Sequence, residues 1–402
     1  MVKRAISVLM AFVLLLTMAA CTGGNGEENK AHGEVGSSEN VKTNELVFGE
    51  FKNFGNDPNN LMQSKYSFAF DEKQIYAVNT VTQDIYSMDF TGGNYKQLLA
   101  GATGYRGNLN VYDGYLYYAK ENSMKPNVIT FERINLTTLE NEKIAEKSCE
   151  QGKMIEAHFQ IIDGYLFYVS WEFIDSSNNY LKIGAIDTAT LKEYVITETA
   201  VTGVSSIMSA TAMCITEYND HIYAFTWPED IYRFDLGAFK SSPEQIQVEH
   251  LSSGTRLLGY DVLGLNGFRC ITKITSEEYV AADYLFDDYQ AETKSFKPTN
   301  TKNYVFVKSE QCPESLIEST NLSYRVGNSR VFIDLASDKI CYYKDSDFTN
   351  PQMKNDGNSL YVSMNSGVYK DVLYIMCEDA ITGQSVLVVM NSDGTVNQYT
   401  IG

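Results

Sequence analysis

A short pattern recurs along this chain about every 50 residues: a polar turn pair followed by alternating aromatic and aliphatic residues. The two clearest copies read Asp-Gly-Tyr-Leu-Tyr-Tyr from Asp113 and Asp-Gly-Tyr-Leu-Phe-Tyr from Asp163. Weaker copies surround Tyr76, Tyr223, Phe268, Phe332 and Tyr374. A polar pair before an alternating run predicts a β-hairpin that leads into a half-buried strand.

A second pattern keeps step with the first, because the next strand of each copy ends in Asp or Asn. The strand ends are Asp89, Asn135, Asp187 and Asp235, with less exact copies at Asp287, Asp345 and Asn391. About 50 residues with four short strands is the size of one propeller blade. The sequence therefore predicts an all-β, seven-bladed β-propeller, with six or eight blades as alternatives.

Two parts of the chain fit the repeat least well. The fifth and sixth copies, from Leu258 to Lys354, are the most degenerate. The segment Glu45–Phe51 lies outside the repeat, and we expect it to supply a strand that closes the ring, because open sheet edges invite aggregation.

Composition indicates a folded domain and limits the classes of partner that are expected. The chain has 28 Tyr and 20 Phe but only 7 Pro, and 44% of its residues are hydrophobic, which excludes a disordered or collagen-like chain. Its formal net charge is −19. A protein that binds the phosphate backbone carries the opposite sign, so nucleic acid is not an expected partner.

The amino terminus has the features of an export signal. Lys3 and Arg4 precede an apolar run from Ala5 to Met18, which is too short to span a bilayer comfortably. Met18-Ala19-Ala20-Cys21 resembles the lipobox of bacterial lipoproteins, which implies cleavage between Ala20 and Cys21 and a lipid on the Cys21 thiol. An ordinary signal peptide with a chance cysteine is the alternative.

These features divide the chain into three parts. Residues 1–20 are predicted to be a lipoprotein signal peptide, and residues 21–44 the lipidated cysteine with a disordered linker rich in Gly, Glu, Ser and Asn. Residues 45–402 are predicted to be the propeller. The expected location is the outer face of the bacterial cell membrane, where lipid chains hold the protein.

The blade pattern, the Gly55-Asn56-Asp57-Pro58-Asn59-Asn60-Leu61 segment and the Tyr-rich strands resemble a family of bacterial surface propellers. That family is related in fold to the propellers of low-density-lipoprotein-receptor-related proteins. The resemblance covers roughly residues 45–402 and implies a fold and a location. It implies no activity and no catalytic residues, and the Tyr-Trp-Thr-Asp motif of the receptor propellers is absent here.

Motifs for catalysis or metal binding are scarce. The sequence has no Gly-x-Ser-x-Gly, Ser-x-x-Lys or His-Glu-x-x-His motif, and its four histidines are far apart. Asp287-Asp288 and Asp345-Ser346-Asp347 leave calcium open as a cofactor, although a polar turn at a strand end explains them better. The six cysteines after Cys21 form no Cys-x-x-Cys motif, and we expect buried free thiols more than disulfides.

The two tryptophans suggest a ligand-binding rim. Trp171 and Trp227 each lie four residues beyond an aromatic strand residue in successive copies. Acidic residues stand beside them: Glu172, Glu229 and Asp230. Residues four apart on a strand face the same side, so both rings are expected at one rim, where they would stack on a sugar or a peptide. Packing between blades is the simpler explanation of both tryptophans.

The sequence thus favours a lipid-anchored extracellular binding or scaffold module at the bacterial envelope, with an envelope protein or a glycan as its partner. Enzymatic activity is the less favoured interpretation, and its form would be a polysaccharide-processing enzyme that uses carboxylates at the channel mouth. A structural subunit of an envelope complex is the third alternative. The sequence itself assigns no ligand.

Overall fold

The computed structural model describes thirty strands that form seven antiparallel sheets, and the ring of seven blades confirms the predicted fold. The residues that the structure describes are 45–51, 54–56, 68–79, 84–101, 109–122, 125–151, 153–173, 179–201, 214–226, 230–252, 260–273, 278–305, 322–334, 337–344 and 351–401. The predictions for residues 1–44, including the signal peptide, the lipidated Cys21 and the linker, lie outside these ranges.

The first four blades follow the chain in order. Blade one contains β1 (Phe68–Phe70), β2 (Ile75–Val78), β3 (Ile85–Met88) and β4 (Lys96–Leu99). Blade two contains β5 (Leu109–Tyr112), β6 (Tyr115–Asn122), β7 (Lys125–Asn135) and β8 (Asn141–Ser148). Blade three contains β9 (Met154–Ile162), β10 (Tyr165–Phe173), β11 (Asn179–Asp187) and β12 (Glu193–Val201). Blade four contains β13 (Cys214–Tyr218), β14 (His221–Thr226), β15 (Asp230–Asp235) and β16 (Glu249–Ser252).

The last three blades complete the ring. Blade five contains β17 (Tyr260–Gly264), β18 (Gly267–Lys273), β19 (Glu278–Leu285) and β22 (Asn300–Val305). Blade six contains β23 (Leu322–Val326), β24 (Ser329–Asp334), β25 (Lys339–Tyr343) and β26 (Pro351–Asp356). Blade seven contains β27 (Leu360–Tyr369), β28 (Val372–Asp379), β29 (Ser385–Asn391) and β30 (Val396–Thr400).

The first strand of each blade lies at the centre of the ring. Among the described residues, first strands of neighbouring blades contact each other, in the pairs β1–β5, β5–β9, β9–β13, β17–β23, β23–β27 and β27–β1. The turns between first and second strands therefore form one rim, which we call the hairpin rim. At Asp113-Gly114 and Asp163-Gly164 both residues have positive φ, the condition for the predicted type I′ hairpin.

Apolar clusters hold neighbouring blades together. One cluster joins blades three and four through Phe167, Trp171 and Phe234, and another joins blades four and five through Phe225 and Phe268. Blades seven and one share a cluster of the same kind, so they pack against each other as the other neighbours do. Burial of these side chains is the main stabilising term for the ring, at about 25 cal/mol for each Å² of apolar surface.

Connections between third and fourth strands reach back to the preceding blade. In blade four, the short helix α1 (Leu236–Ser241) places the fully buried Phe239 against Tyr165 of blade three. In blade five, this connection has one 3-10 turn, Phe286–Asp288, and two short strands, β20 (Tyr289–Gln290) and β21 (Ser295–Phe296), which extend the sheet of blade four. A second 3-10 helix, Pro243–Gln245, follows α1.

The prediction that Glu45–Phe51 supplies a closing strand is wrong. The sheets of blades one and seven are built from β1–β4 and β27–β30, and residues 45–51 belong to no strand. Instead, the Leu265 N–H donates to the Val47 carbonyl of this segment at 2.8 Å, which ties it to the hairpin rim of blade five.

Further along the chain, residues 54–56 contact the inner strands of blades one, two and three. Phe54 forms an isolated bridge with Ile162, and the Asn56 side-chain amide donates to the carbonyls of Phe68 and Leu109 at 2.8 and 3.2 Å. The described residues between 45 and 56 thus contact five blades, although they add no strand to any sheet. Within the described residues we find no helix with the length and apolar character needed to cross a membrane.

Candidate functional site

The predicted tryptophan rim is only partly within the described residues. Trp171 is 1% exposed and lies in the cluster between blades three and four, with Phe173 stacked beside it at 6.3 Å. This burial agrees with packing between blades, and the ring is not presented to a ligand. Trp227 and Glu229 lie outside the described residues, as do Ala20 and Cys21.

The two described acidic residues of that rim, Glu172 and Asp230, have charged neighbours. Glu172 lies 3.9 Å from Lys182, and Asp230 Oδ1 lies 2.6 Å from Nε2 of His250. Trp171 is six residues beyond the start of β10, so it lies about 20 Å from the hairpin rim, toward the opposite rim of the propeller.

The strand-end carboxylates serve the turns that follow them. Asp89 accepts hydrogen bonds from the backbone N–H groups of Thr91 and Gly93, and Asp187 from those of Ala189 and Thr190. The hydrogen bonds from Thr91 hold the pKa of Asp89 below its ordinary value. These are the polar turns that the repeat predicts.

The carboxylates considered as calcium ligands are also only partly within the described residues. Asp287 accepts a hydrogen bond from the Tyr218 hydroxyl at 2.8 Å, and Asp288 accepts one from Thr299 Oγ1 at 2.5 Å. Asp345 and Asp347 lie outside the described residues. In the part of the chain that the structure describes, no group of three or more His, Cys, Asp and Glu is placed to hold a metal ion.

Among the described cysteines, Cys214, Cys270 and Cys377 are buried free thiols as predicted, while Cys149 is free but only partly buried. Cys149, Cys214, Cys270 and Cys377 are free, and burial raises the pKa of the Cys377 thiol to about 12, so it is not reactive. Cys341 is disulfide-bonded. The expectation of a free thiol is therefore wrong for Cys341.

A cavity of about 320 Å³ opens at the hairpin rim between blades five and six. We call it the arginine pocket. Its lining residues come from the N-terminal segment, blade five and blade six: Glu45, Leu46, Phe48, Arg269, Asp283, Asn300, Arg325, Asn328, Ser329 and Arg330. The three arginines are notable in a chain whose net charge is strongly negative.

Blade five contributes a polar row of cross-strand neighbours. Arg269 on β18 pairs in register with Asp283 on β19, which pairs with Asn300 on β22. The guanidinium donates to Asp283 through Nε at 2.5 Å and Nη2 at 3.0 Å. This two-bond arrangement fixes the orientation of Arg269 and neutralises its charge within the pocket.

Blade six contributes two arginines that face each other across a hairpin. Arg325 on β23 and Arg330 on β24 are register partners on either side of the turn at Gly327-Asn328. Cross-strand neighbours share one face of the sheet, and like charges placed directly opposite destabilise it. The register therefore places both arginine side chains on one face of this hairpin.

The arginines replace apolar residues of the repeat. At the third position of the second strand, where blade five has Arg269, blades two, three and four place Tyr117, Phe167 and Tyr223 against the next blade. Arg330 occupies the second position of the second strand in blade six. Other blades have an aliphatic residue at this position, such as Leu166 or Leu373, which packs against the preceding blade. The positions that elsewhere bury apolar surface thus line a polar cavity.

The N-terminal segment forms one wall of the pocket. The Arg325 guanidinium lies 3.8 Å from the ring centre of Phe48, a cation–π contact that orients its charge. The Asn266 side chain binds the Val47 N–H and the Glu45 carbonyl, which holds this wall on blade five. The pocket is complete only with this segment in place.

The surroundings of Arg325 and Arg330 shift the pKa values of both side chains. Burial lowers the pKa of Arg325, the nearby Arg269 lowers it further, and Asp371 acts in the opposite direction. Arg330 is only 4% exposed, and burial lowers its pKa to about 9. Both side chains remain charged at neutral pH, and the lowered pKa values reflect the cost of desolvating their guanidinium groups.

The pocket has side chains that can form hydrogen bonds with a polar ligand. Guanidinium forks bind carboxylate and phosphate groups, while the amides of Asn300 and Asn328 and the Ser329 hydroxyl add donors and acceptors. Sequence analysis missed this site, although Arg325 and Arg330 stand symmetrically about a two-residue turn and belong to the degenerate copies. That symmetry was the available signal, because it makes the two residues register partners.

No protein-family model matches this chain, and no curated protein sequence matches it. Solved structures with a similar fold include the Pyrococcus horikoshii acylaminoacyl peptidase, at 12% identity and a TM-score of 0.43, covering 84% of this chain and 54% of that chain. The chain thus spans about half the length of that protein.

Two further structures have a similar fold. The β-propeller domain of the Trilobed protease from Pyrococcus furiosus has 14% identity and a TM-score of 0.37, covering 81% of this chain and 92% of that one. BamB from Moraxella catarrhalis has 12% identity and a TM-score of 0.35, covering 83% and 79%. At these identities the similarity concerns the propeller fold alone.

Proposed function

We propose that this protein is a lipid-anchored extracellular propeller that acts as a binding module at the bacterial cell envelope. The observation that carries the binding function is the arginine pocket, a built cavity lined by charged and amide side chains. A binding site needs oriented polar groups at the edge of a concave surface, and this pocket supplies them. The described residues give no positive evidence of catalysis.

The anchor follows from the lipobox resemblance at Cys21. The composition of the 22 residues from Thr22 to Thr43 predicts a coil, which would hold the propeller roughly 25–30 Å from the membrane. Glu45 lies at the hairpin rim, bound to Asn266.

Fractionation of cells that express Cys21→Ser tests the anchor. The unaltered protein is expected in the membrane fraction, and Cys21→Ser in the soluble fraction. Cys149→Ser serves as the control, because Cys149 is a free thiol within the propeller. Equal membrane association of the unaltered protein and Cys21→Ser would contradict the lipid anchor.

Capture from the native envelope tests the binding function. The full-length protein in detergent serves as bait, beside versions that carry Arg325→Met or Ile381→Ala. Ile381 is 90% exposed and is not part of the pocket lining, so its change controls for surface effects. A partner or glycan that is lost only with Arg325→Met supports a binding module that uses the pocket. Capture that Arg325→Met leaves unchanged would show that the pocket is not the binding site.

A further inference from the structure

We propose that the side chains of Lys147 and Glu193 form an isopeptide bond, an amide that joins the outer strands of blades two and three. Lys147 lies on β8 and Glu193 on β12, the fourth strands of these two blades. The Lys147 Nζ and Glu193 Oε1 atoms contact each other across the boundary between the blades. The bond needs only groups of this chain, and it is independent of the arginine pocket and of the lipid anchor.

The amine of Lys147 is shielded from water. Its side chain is 13% exposed and that of Glu193 31%, whereas Lys143 and Glu146, an ion pair on the same strand β8, are 59% and 49% exposed. Burial and the nearby Lys182 lower the pKa of Lys147 to about 8, so about a tenth of the amine is neutral at pH 7. The neutral amine is the form that attacks a carbonyl carbon.

Tyr168 places a proton donor at the same carboxyl oxygen. Its hydroxyl donates a hydrogen bond to Glu193 Oε1 at 2.5 Å, and Lys147 Nζ lies 4.9 Å from the centre of its ring. Burial raises the pKa of Tyr168, so the hydroxyl keeps its proton at neutral pH. A donor that faces a leaving oxygen acts as a general acid. The carboxyl group of Glu193 therefore lies between a nucleophile and an acid.

A glycine makes room for this hydroxyl. Tyr168 and Gly184 are register partners, and a Cβ atom at residue 184 would lie 2.3 Å from the Tyr168 hydroxyl oxygen. Blade two has Tyr118 at the equivalent position, and its hydroxyl donates to Glu132, the register partner there. The glycine in blade three thus lets the tyrosine hydroxyl extend to Glu193 on the outer strand.

The bond forms without any further reactant. One proton passes from Lys147 Nζ to Glu193 Oε1, which leaves a neutral amine beside a neutral carboxyl group. Nζ attacks Cδ, the Nζ–Cδ bond forms, and the Cδ–Oε1 bond breaks as the Tyr168 hydroxyl gives its proton to Oε1. Oε1 departs as water, and the nitrogen returns one proton to the Tyr168 oxygen. The products are one amide and one water molecule.

The surroundings favour the amide over an ion pair. An ion pair keeps two charges in a partly buried place, which costs desolvation energy, and Lys182 adds a repulsive charge nearby. The amide carries no charge. The fold also holds the two reacting groups in contact, which gives them a high effective concentration.

Peptide mapping by mass spectrometry of the purified full-length protein tests the bond. Trypsin cleaves after an unmodified lysine and does not cleave after a lysine whose amine is in an amide. We expect one branched peptide that contains Lys147 and Glu193, with the mass of its two chains less one water molecule. Lys147→Arg and Glu193→Ala should each abolish the branched peptide. Tyr168→Phe should slow its formation about a hundredfold or more, because the general acid is lost.

The contact between Lys240 and Asp163 is the matched control, because these side chains also touch but are 38% and 43% exposed. They should be recovered in separate peptides. Recovery of Lys147 and Glu193 only in separate peptides would overturn the isopeptide bond and leave an ion pair between the blades. Formation at an unchanged rate in Tyr168→Phe would overturn the role of the hydroxyl. The readout is a covalent mass, so neither result depends on the proposed binding function.

Discussion

Single residues decide the turns of this propeller, and those turns were predictable because their chemistry is local. Asp163 and Gly164 both have positive φ, at 50° and 81°, a conformation that Asp tolerates and Gly adopts freely. Asp187, at the same rim of the blade, accepts hydrogen bonds from residues two and three positions ahead. Such effects span four residues or fewer, so the sequence pattern reveals them.

Residues that act across blades could not be identified in this way. The sequence shows Asn56 only as part of the segment from Gly55 to Leu61, yet its side chain joins the inner strands of blades one and two. Gln160 of blade three also donates to the Asn56 carbonyl, at 2.8 Å. These partners lie 12, 53 and 104 residues away, distances that no local pattern encodes.

Asn56→Ala is expected to lower the free energy of unfolding by about 1–3 kcal/mol, because it leaves two buried carbonyls without their donor. Chemical denaturation measures the change. Asn397→Ala, at an exposed position of β30, is the control and should change stability by less than about 0.5 kcal/mol. A loss of the same size in both variants would show that the Asn56 hydrogen bonds add little.

His158 should make stability depend on pH. Burial lowers its pKa to about 3, whereas an unfolded histidine has a pKa near 6.5. Between these values the unfolded chain binds more protons, so the free energy of unfolding rises with pH, by up to about 1.4 kcal/mol per pH unit. His158→Gln should remove this part of the slope between about pH 3 and 6.5.

The measurement for His158 is urea denaturation at a series of pH values, compared between the unaltered protein and the variant. His250→Gln is the control, because the His250 side chain is 59% exposed and its removal leaves the core intact. Identical pH slopes for His158→Gln and the unaltered protein would contradict a neutral, buried His158.

At the scale of elements, the connections between third and fourth strands act as latches on the preceding blade. Phe239 of α1 does this in blade four, and the Ser392 carbonyl in blade seven accepts a hydrogen bond from the Tyr342 hydroxyl of blade six. In blade one, Phe90 stacks on Tyr369 of blade seven at 5.5 Å. The ring thus closes by the same device that joins its other blades, without a shared sheet.

Phe90→Ala should weaken this closure and lower the free energy of unfolding by about 1–3 kcal/mol, because Phe90 is half-buried against Tyr369 and Tyr374. Thermal and chemical unfolding measure the loss, and Ile381→Ala at an exposed turn is the control. A double-mutant cycle with Tyr369→Ala should give a coupling of about 0.5–1.5 kcal/mol. Additive effects would show that the two rings do not interact.

The copies of the repeat that match least well, in blades five and six, also differ from the others at the level of whole strands. The repeat predicted seven blades because each copy keeps its two turns, and it did not predict the arginine pocket. Arg269 and Arg330 interrupt the apolar pattern in adjacent copies, and only the register of the sheets shows that they line one cavity. The copies that fit a repeat least well are therefore the first place to search for function.

For the molecule as a whole, the segment from Glu45 to Asn56 connects parts of the ring that are far apart. It is bound at Leu265 and Asn266 of blade five, contacts Arg325 of blade six, and ends in hydrogen bonds to the inner strands of blades one to three. The sequence placed this segment outside the repeat correctly, but its role depends on contacts with residues more than 200 positions away.

Two shortened chains test the role of this segment, one that starts at Glu45 and one that starts at Asp57. The chain from Glu45 keeps every described contact and should unfold as the full-length protein does. The chain from Asp57 loses the hydrogen bonds of Val47, Gly55 and Asn56 and the packing of Phe51 and Phe54. Its free energy of unfolding should fall by on the order of 5 kcal/mol.

Hydrogen exchange locates the effect. Without residues 45–56, the amides of Val111 in β5 and Leu265 at the hairpin rim lose their acceptors, Gly55 and Val47, and should exchange faster. The amides of β29, which pair within blade seven, provide the internal control. Equal unfolding of the two shortened chains, with unchanged exchange at Val111 and Leu265, would mean that the seven blades hold the ring closed without this segment.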